Sequence, residues 1–413
     1  MNDINQERGV VLYLHAHQPY RVRPYSVFDT SVHHDYFNDQ NQHSESNNRH
    51  IFNKVADKSY RPTNKLLLEL LKKHPEFKVS LSITGTLIEQ CEMWGQDVLD
   101  DFRALVKTGR VEIVSETYYH SLAFFYSQNE FNKQVEAHYK KVQETLGAAP
   151  RVFRNTELAY NNNLAKWAER AGFKAILAEG WDPVLGWRSP NFVYRPAGTK
   201  NISLLTKNYK LSDDLAFRFS DKNWSEWPLD ANKYAHWLNA ATEKQPIVNL
   251  FMDYETFGEH QWKDIGIFEF FKHLPEKWLS RKGNTFYTLS DVVDKFQPVD
   301  EIDAPNTITW ADTERDLTAW LGNGMQQEAM RHLYALEEGV LNTKDDGLIA
   351  DWRKLQTSDH VYYMCTKWFN DGDVHAYFSP YSSPYDAFLY YMNAVRDIRW
   401  RVMEHQRGGW IHG

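Results

Sequence analysis

Seven short runs rich in apolar and β-branched residues punctuate the first two thirds of the chain: Val10–Leu14, Lys78–Ile83, Val111–Val114, Arg151–Arg154, Lys174–Ala178, Ser203–Thr206 and Ile247–Met252. Several are almost wholly apolar, the pattern of parallel strands covered on both faces. Between them lie stretches of helical length and spacing, among them Pro62–Lys73 and Asn129–Gly147. Alternation of this kind predicts an α/β fold, either a parallel β/α barrel or a doubly wound sheet. In both, functional side chains gather on the loops after the carboxyl ends of the strands.

Two insertions break the rhythm, the His/Asn-rich Asp29–Arg49 and the Trp-bearing Lys207–Asp230. Loops this long without regular structure of their own are commonly lids or binding loops. The run QPVDEIDAPN, Gln297 to Asn306, is polar, proline-bearing and aperiodic, so the domain boundary is placed there. A β/α catalytic domain over residues 1–296 and a helical domain over 297–413 result. In the second, Leu317, Trp320, Leu321, Leu333 and Leu336 keep helical spacing, and Asp351–Phe369 and Pro384–His405 follow. This predicts about three antiparallel helices.

Four segments place ionisable residues directly after expected strands: HAHQP (His15–Pro19), SETYYHS (Ser115–Ser121), NTEL (Asn155–Leu158) and DYETFGEH (Asp253–His260). Glu157 is the one acid of its segment. Asp253 and Glu255 are two apart and would share a face of an extended chain, with Glu259 beyond them. A carboxylate from each of two segments, facing one another across a cleft, is what cleavage of a glycosidic bond requires. The pattern does not rank Asp253 against Glu255, and Glu259 reads best as a surface or ion-paired acid.

His15 and His17 also share a strand face, a spacing found in metal sites, with Glu116, His120 and Asp253 as conceivable further ligands. That gives a competing class, a metal-dependent polysaccharide deacetylase or other metallohydrolase. The alternative is that these histidines hydrogen-bond substrate hydroxyls, and the lack of a compact ligand motif favours it. A non-catalytic glucan-binding protein is the third class, and the presence of both candidate carboxylates argues against it.

Composition narrows the partners. A net charge of −8 without a basic cluster argues against nucleic acid and anionic membrane, because neutralising phosphates takes concentrated Lys and Arg. Aromatic residues make up 15% of the chain, which suits a saccharide cleft, since flat rings stack on sugar faces; most such rings nevertheless fill cores. The only two cysteines, Cys91 and Cys365, leave no disulfide framework, and neither a signal-peptide h-region nor a spanning helix is legible. A cytoplasmic location is therefore expected. Oligomeric state has no signature.

At LHAHQP, GRVEIVSETYYHSL, FRNTELAY, FMDYETFGEH and TWADTERDLTAWLGN, in that order from about Val10 onward, the chain resembles glycoside hydrolase family 57, in particular its α-amylase-type members. The resemblance implies a seven-stranded parallel β/α barrel followed by a C-terminal helical bundle contributing to the cleft. It also implies cleavage of α-1,4-glucosidic bonds in α-glucans or maltooligosaccharides, retention of configuration, and no required metal or other cofactor. By position it assigns Glu157 as nucleophile and Asp253 as general acid/base. His17, Glu116 and His120 match cleft-lining positions that contact sugar, and His15, Glu255 and His260 are expected to bind substrate beside them. Trp310 and Asp312 open the last motif and would reach over the cleft, with packing or capping as the alternative role. A 4-α-glucanotransferase would use the same residues.

Overall fold

The computed structural model describes residues 7–367 and 379–411. The chain divides into two compact units. The first comprises residues 1–17, 53–116 and 136–310, and the second residues 18–52, 117–135 and 311–413.

All seven expected strands form in the first unit: β1 (Arg8–Ala16), β2 (Val79–Ile83), β3 (Val111–Ile113), β4 (Val152–Phe153), β5 (Ala175–Glu179), β7 (Ser203–Lys207) and β8 (Ile247–Asp253). Three short strands join them that the pattern did not announce, β6 (Val193–Pro196), β9 (Asn284–Tyr287) and β10 (Glu301–Ile302). One sheet runs β3-β2-β1-β8, with β9 beside the first half of β1; the other runs β10-β6-β7-β5-β4. Every pairing is parallel except β6 with β7. The sheets meet where Ser115 bridges Phe153, and where the Asn208 N–H donates to Asn249 O at 2.9 Å. The Asn249 side-chain amide strengthens the second junction by donating to Thr206 O at 2.9 Å. The parallel order fits a (β/α)7 barrel, although isolated bonds rather than ladders join the two sheets among the described residues.

The strands are buried along almost their whole length, as apolar runs without alternation require. Val11, Tyr13, Leu177, Leu205 and Phe251 pack with Leu158 into one core cluster. Helices then start on polar caps placed just after the strands. Thr84 accepts from Leu87 N–H to open Gly85–Trp94, and Asn208 accepts from Leu211 N–H to open Tyr209–Ala216. The latter helix lies inside the Lys207–Asp230 insertion, where no regular structure was expected. The expected helices Pro62–Lys73 and Asn129–Gly147 form as Arg61–Lys73 and Gln128–Leu146.

The linker differs from the expected boundary. Glu301–Ile302 pair with β6, and Ile308 bridges Tyr160, so residues 297–310 belong with the first unit. The backbone of a polar, proline-bearing run finds its partners in the sheet edge, which aperiodicity alone did not disclose.

The second unit packs Trp320, Leu333, Trp352, Tyr391 and Ile398 in a common core. Its helices include Gly324–Tyr334, Asp346–Lys354, Ser358–Tyr362 and Pro384–Ile411. The stretch expected as one helix over Asp351–Phe369 is thus broken by a turn after Lys354, and its end from residue 368 lies outside the described residues. Asp397, fully buried, accepts from the Ser31 backbone N–H at 2.6 Å, lies 2.7 Å from His34 Nδ1, and accepts from the Tyr36 hydroxyl. This carboxylate fastens the early Asp29–Arg49 insertion to the last helix of its unit. None of the helices among the described residues is long and apolar enough to cross a membrane.

Candidate active site

Glu157 follows β4 in the short 3-10 turn Thr156–Leu158. Its φ is 59° and that of Leu158 is 50°, two successive non-glycine residues in the left-handed region. Such conformations cost energy and persist where the surroundings enforce them, often at functional sites. Here the enforcement is visible. Leu158 is buried in the core, and Trp310 bonds Glu157 twice, through its indole Nε1–H to Oε2 at 2.9 Å and through its backbone N–H to the Glu157 carbonyl at 3.3 Å. The carboxylate is partly exposed, and one of its oxygens is oriented by a fixed donor.

Asp253 is the last residue of β8, and the register of β1 on β8 sets His15 opposite it. His15 Nδ1 lies 2.8 Å from Ser82 Oγ on the other neighbour, β2, and 3.6 Å from Glu116 Oε1. Glu116 in turn lies 3.7 Å from the Arg154 guanidinium, with both side chains fully buried. Its backbone N–H donates to His138 Nδ1 at 3.4 Å, while His138 Nε2 donates to Ile83 O at 2.9 Å, which fixes that ring's tautomer. Burial holds His138 below the usual histidine range.

The ambiguity between Asp253 and Glu255 has a physical side. Glu255 is buried, and its Oε1 accepts from the Tyr60 hydroxyl at 2.5 Å and from the His17 backbone N–H at 3.2 Å. Burial, and then the neighbouring Asp253 charge, push its carboxyl up to about 8. A group so held is mostly protonated at neutral pH, with the proton on Oε2, since two donors already occupy Oε1. Asp253 is partly exposed at the strand end. Glu259 pairs with Lys58 at 3.2 Å, in keeping with an ion-paired acid. His260 is partly buried, and desolvation lowers it to about 4, so it is neutral at physiological pH. His17 Nδ1 lies 3.0 Å from Thr84 Oγ1, and the His15 and His17 rings stack with centroids 6.0 Å apart.

Trp310 brings in residues that the sequence reading missed. Its ring lies edge-on to His15 with centroids 6.4 Å apart, has the Arg154 guanidinium 4.9 Å from its centroid and has Lys207 Nζ at 5.7 Å. Lys207, the last residue of β7, is buried with Nζ 2.9 Å from Asp213 and 3.5 Å from Glu179. For Arg154 there was a signal, an arginine ending the expected strand just ahead of NTEL. Lys207 carried one too, an ionisable residue directly after the expected strand Ser203–Thr206, whereas Tyr60 had none, because its partner Glu255 is 195 positions away.

The structure therefore brings together Glu157, Trp310, His15, Glu116, Asp253, Glu255 and His17 through a chain of contacts in the first unit. His120 and Asp312 belong to the second. His120 has φ 51°, is buried, and is held through its backbone, its carbonyl accepting from Ser358 N–H at 2.9 Å. Asp312, φ 58°, faces Lys367 at 3.4 Å.

The profile of Glycosyl hydrolase family 57 matches residues 11–305. A Methanocaldococcus jannaschii protein whose name proposes an alpha-amylase is 45% identical over 369 residues, covering 86% of this chain and 78% of that protein. Two solved structures share the fold. A 4-alpha-glucanotransferase of Thermococcus litoralis superposes with a TM-score of 0.66 at 18% identity, over 86% of this chain and 56% of its own. A branching enzyme of Thermococcus kodakaraensis superposes with the same score at 13% identity, over 86% of each chain. This chain thus spans little more than half the length of that glucanotransferase, and likeness at such identity speaks for fold alone.

Proposed function

The chain belongs to glycosyl hydrolase family 57 and is a glycoside hydrolase, and from that premise we propose that it cleaves α-1,4-glucosidic bonds in α-glucans with retention of configuration. Glu157 attacks the anomeric carbon while Asp253 protonates the departing glycosidic oxygen. The C–O bond breaks, and a covalent glycosyl-enzyme forms. Asp253, now a carboxylate, takes a proton from water as it displaces Glu157. The observation that carries this reading is the oriented Glu157 carboxylate, held by Trp310 in a left-handed turn at the end of β4.

In this reading the seven parallel strands close into a barrel, and His15, His17, Glu255 and His260 contact sugar hydroxyls, with the fully buried Glu116 backing His15. Glu255 serves as a neutral partner beside Asp253 rather than as the acid itself. The name of the relative at 45% identity supports an α-amylase outcome. Resolution of the intermediate by a sugar hydroxyl would give a 4-α-glucanotransferase instead, the activity in the name of the Thermococcus litoralis protein. Family membership weighs against the deacetylase alternative. The buried free thiols Cys91 and Cys365 support residence in a reducing compartment.

The test is stereochemical. Proton NMR of a maltooligosaccharide digest, read before mutarotation, is expected to show the α anomer first, and initial β product would overturn the mechanism. Sizing the same digest separates shortening from a disproportionation ladder.

A further inference from the structure

The first unit buries an ionic cluster next to Trp310 that the mechanism above leaves unused. Parallel pairing of β5 with β7 sets Glu179 opposite Lys207, the last residues of their strands. The strand ends come so close that a Cβ on Gly180 would lie 2.1 Å from the Lys207 carbonyl oxygen, so only glycine fits there. From the helix that follows β7, Asp213 approaches Lys207 Nζ to 2.9 Å, and Glu179 completes the cluster at 3.5 Å. Three elements thus fix one ammonium group.

Burying that charge is costly unless it is paired, and an apolar side chain of similar length would fill the space without desolvating anything. What the cluster delivers is a cation 5.7 Å from the Trp310 ring centroid, within the range of a cation–π contact. Arg154 supplies a second at 4.9 Å, itself 3.7 Å from Glu116. Two cations on one π system fix the plane of the indole and polarise it, strengthening the N–H that points at Glu157 Oε2. We propose that Lys207, anchored by Glu179 and Asp213, is a positioning residue for Glu157 that acts through the Trp310 indole. This rests on the reading of Glu157 as the nucleophile. Lys207 sets how that carboxylate is aimed, and so belongs to the chemical step rather than to glucan binding.

The test is a double-mutant cycle on maltooligosaccharide cleavage by the full chain, with wild type and Glu157→Gln run alongside. An inactive wild type, or an active Glu157→Gln, would count against the nucleophile itself and not specifically against Lys207. With those controls as expected, Lys207→Met should lower kcat by about tenfold to a hundredfold, the cost of a slightly misplaced group, with KM within about twofold. Lys207→Arg, which keeps the cation, should recover most of the loss. In a Trp310→Phe background, which lacks the indole N–H, Lys207→Met should change kcat by less than about twofold. Because Lys207→Met removes the cation from beside two buried carboxylates, Lys207→Met/Asp213→Asn is measured as well, with thermal unfolding of each variant; it should fold and still show the kcat loss. Unchanged kcat in a folded Lys207→Met or Lys207→Met/Asp213→Asn chain would overturn the proposal, as would a full loss persisting in the Trp310→Phe background.

Discussion

Trp310 donates its indole N–H to Glu157 Oε2 at 2.9 Å, across 153 positions of sequence, and its backbone N–H reaches the Glu157 carbonyl as well. One residue therefore fixes both the side chain and the main chain of the proposed nucleophile. Because Glu157 sits at φ 59°, glycine is the substitution its backbone accepts most readily. Glu157→Gly should fold at least as stably as Glu157→Gln, and both should lose roughly a thousandfold or more in turnover. Azide is then expected to restore cleavage of an aryl α-maltoside by Glu157→Gly, entering from the face of the missing carboxylate and giving a β-glycosyl azide. An α-azide product, or more than about a tenth of wild-type turnover in Glu157→Gln, would remove Glu157 from this role.

Asp253 is expected to act on the leaving group, so its loss should depend on how much help that group needs. Asp253→Asn should slow maltooligosaccharide cleavage by roughly a hundredfold or more, and cleavage of an aryl maltoside with an acidic phenol far less. Comparing the two substrates checks this. Equal losses on both would move the acid elsewhere, with Glu255 the next candidate.

Glu255 makes a prediction about stability. Burial and the Asp253 charge raise its carboxyl from 4.5 to about 8 in the folded chain. The folded state then holds a proton that the unfolded state releases between those values, so stability falls as pH rises through that window. Replacing Glu255 by Gln removes the titration. The melting temperature of Glu255→Gln relative to wild type should rise by a few degrees between pH 5 and pH 8 and level off above. A difference that stays flat over this range would contradict the assignment. In Asp253→Asn, where the repulsion is relieved, the inflection should move to lower pH.

Carboxylate catalysis needs no Lewis acid. Dialysis against a strong chelator should leave glucan cleavage within about twofold of the untreated protein. Loss of activity restored by zinc or another divalent ion would instead revive the reading of His15 and His17 as metal ligands.

The barrel-type strands were legible because parallel strands buried on both faces must be continuous apolar runs, and all seven were found. β6, β9 and β10 were not, since these runs of two to four residues carry neither a continuous apolar stretch nor enough length for a period to show. The helix Tyr209–Ala216 was missed inside an insertion read as loop, although Asn208 carried a capping signal three residues ahead of Leu211. In the site, position after a strand picked out Glu157, Asp253 and His15. The difference between Asp253 and Glu255 on which their proposed roles rest depends on the Tyr60 hydroxyl and on depth of burial, and Trp310 reaches Glu157 only once the linker folds back onto Tyr160. Contacts of that kind leave no local trace in a sequence.

Asp397 has a consequence for how the polypeptide is made. Its partners Ser31, His34 and Tyr36 leave the ribosome more than 360 positions ahead of it. Until Asp397 has been made, the Asp29–Arg49 segment lacks this carboxylate to close on, while the residues of the first unit are complete once Trp310 has emerged. The early insertion can make these contacts only after the helix Pro384–Ile411 has been synthesised. A stalled or clipped chain lacking that helix would present Tyr25 and Tyr36 uncovered, as a ready mark for quality-control machinery.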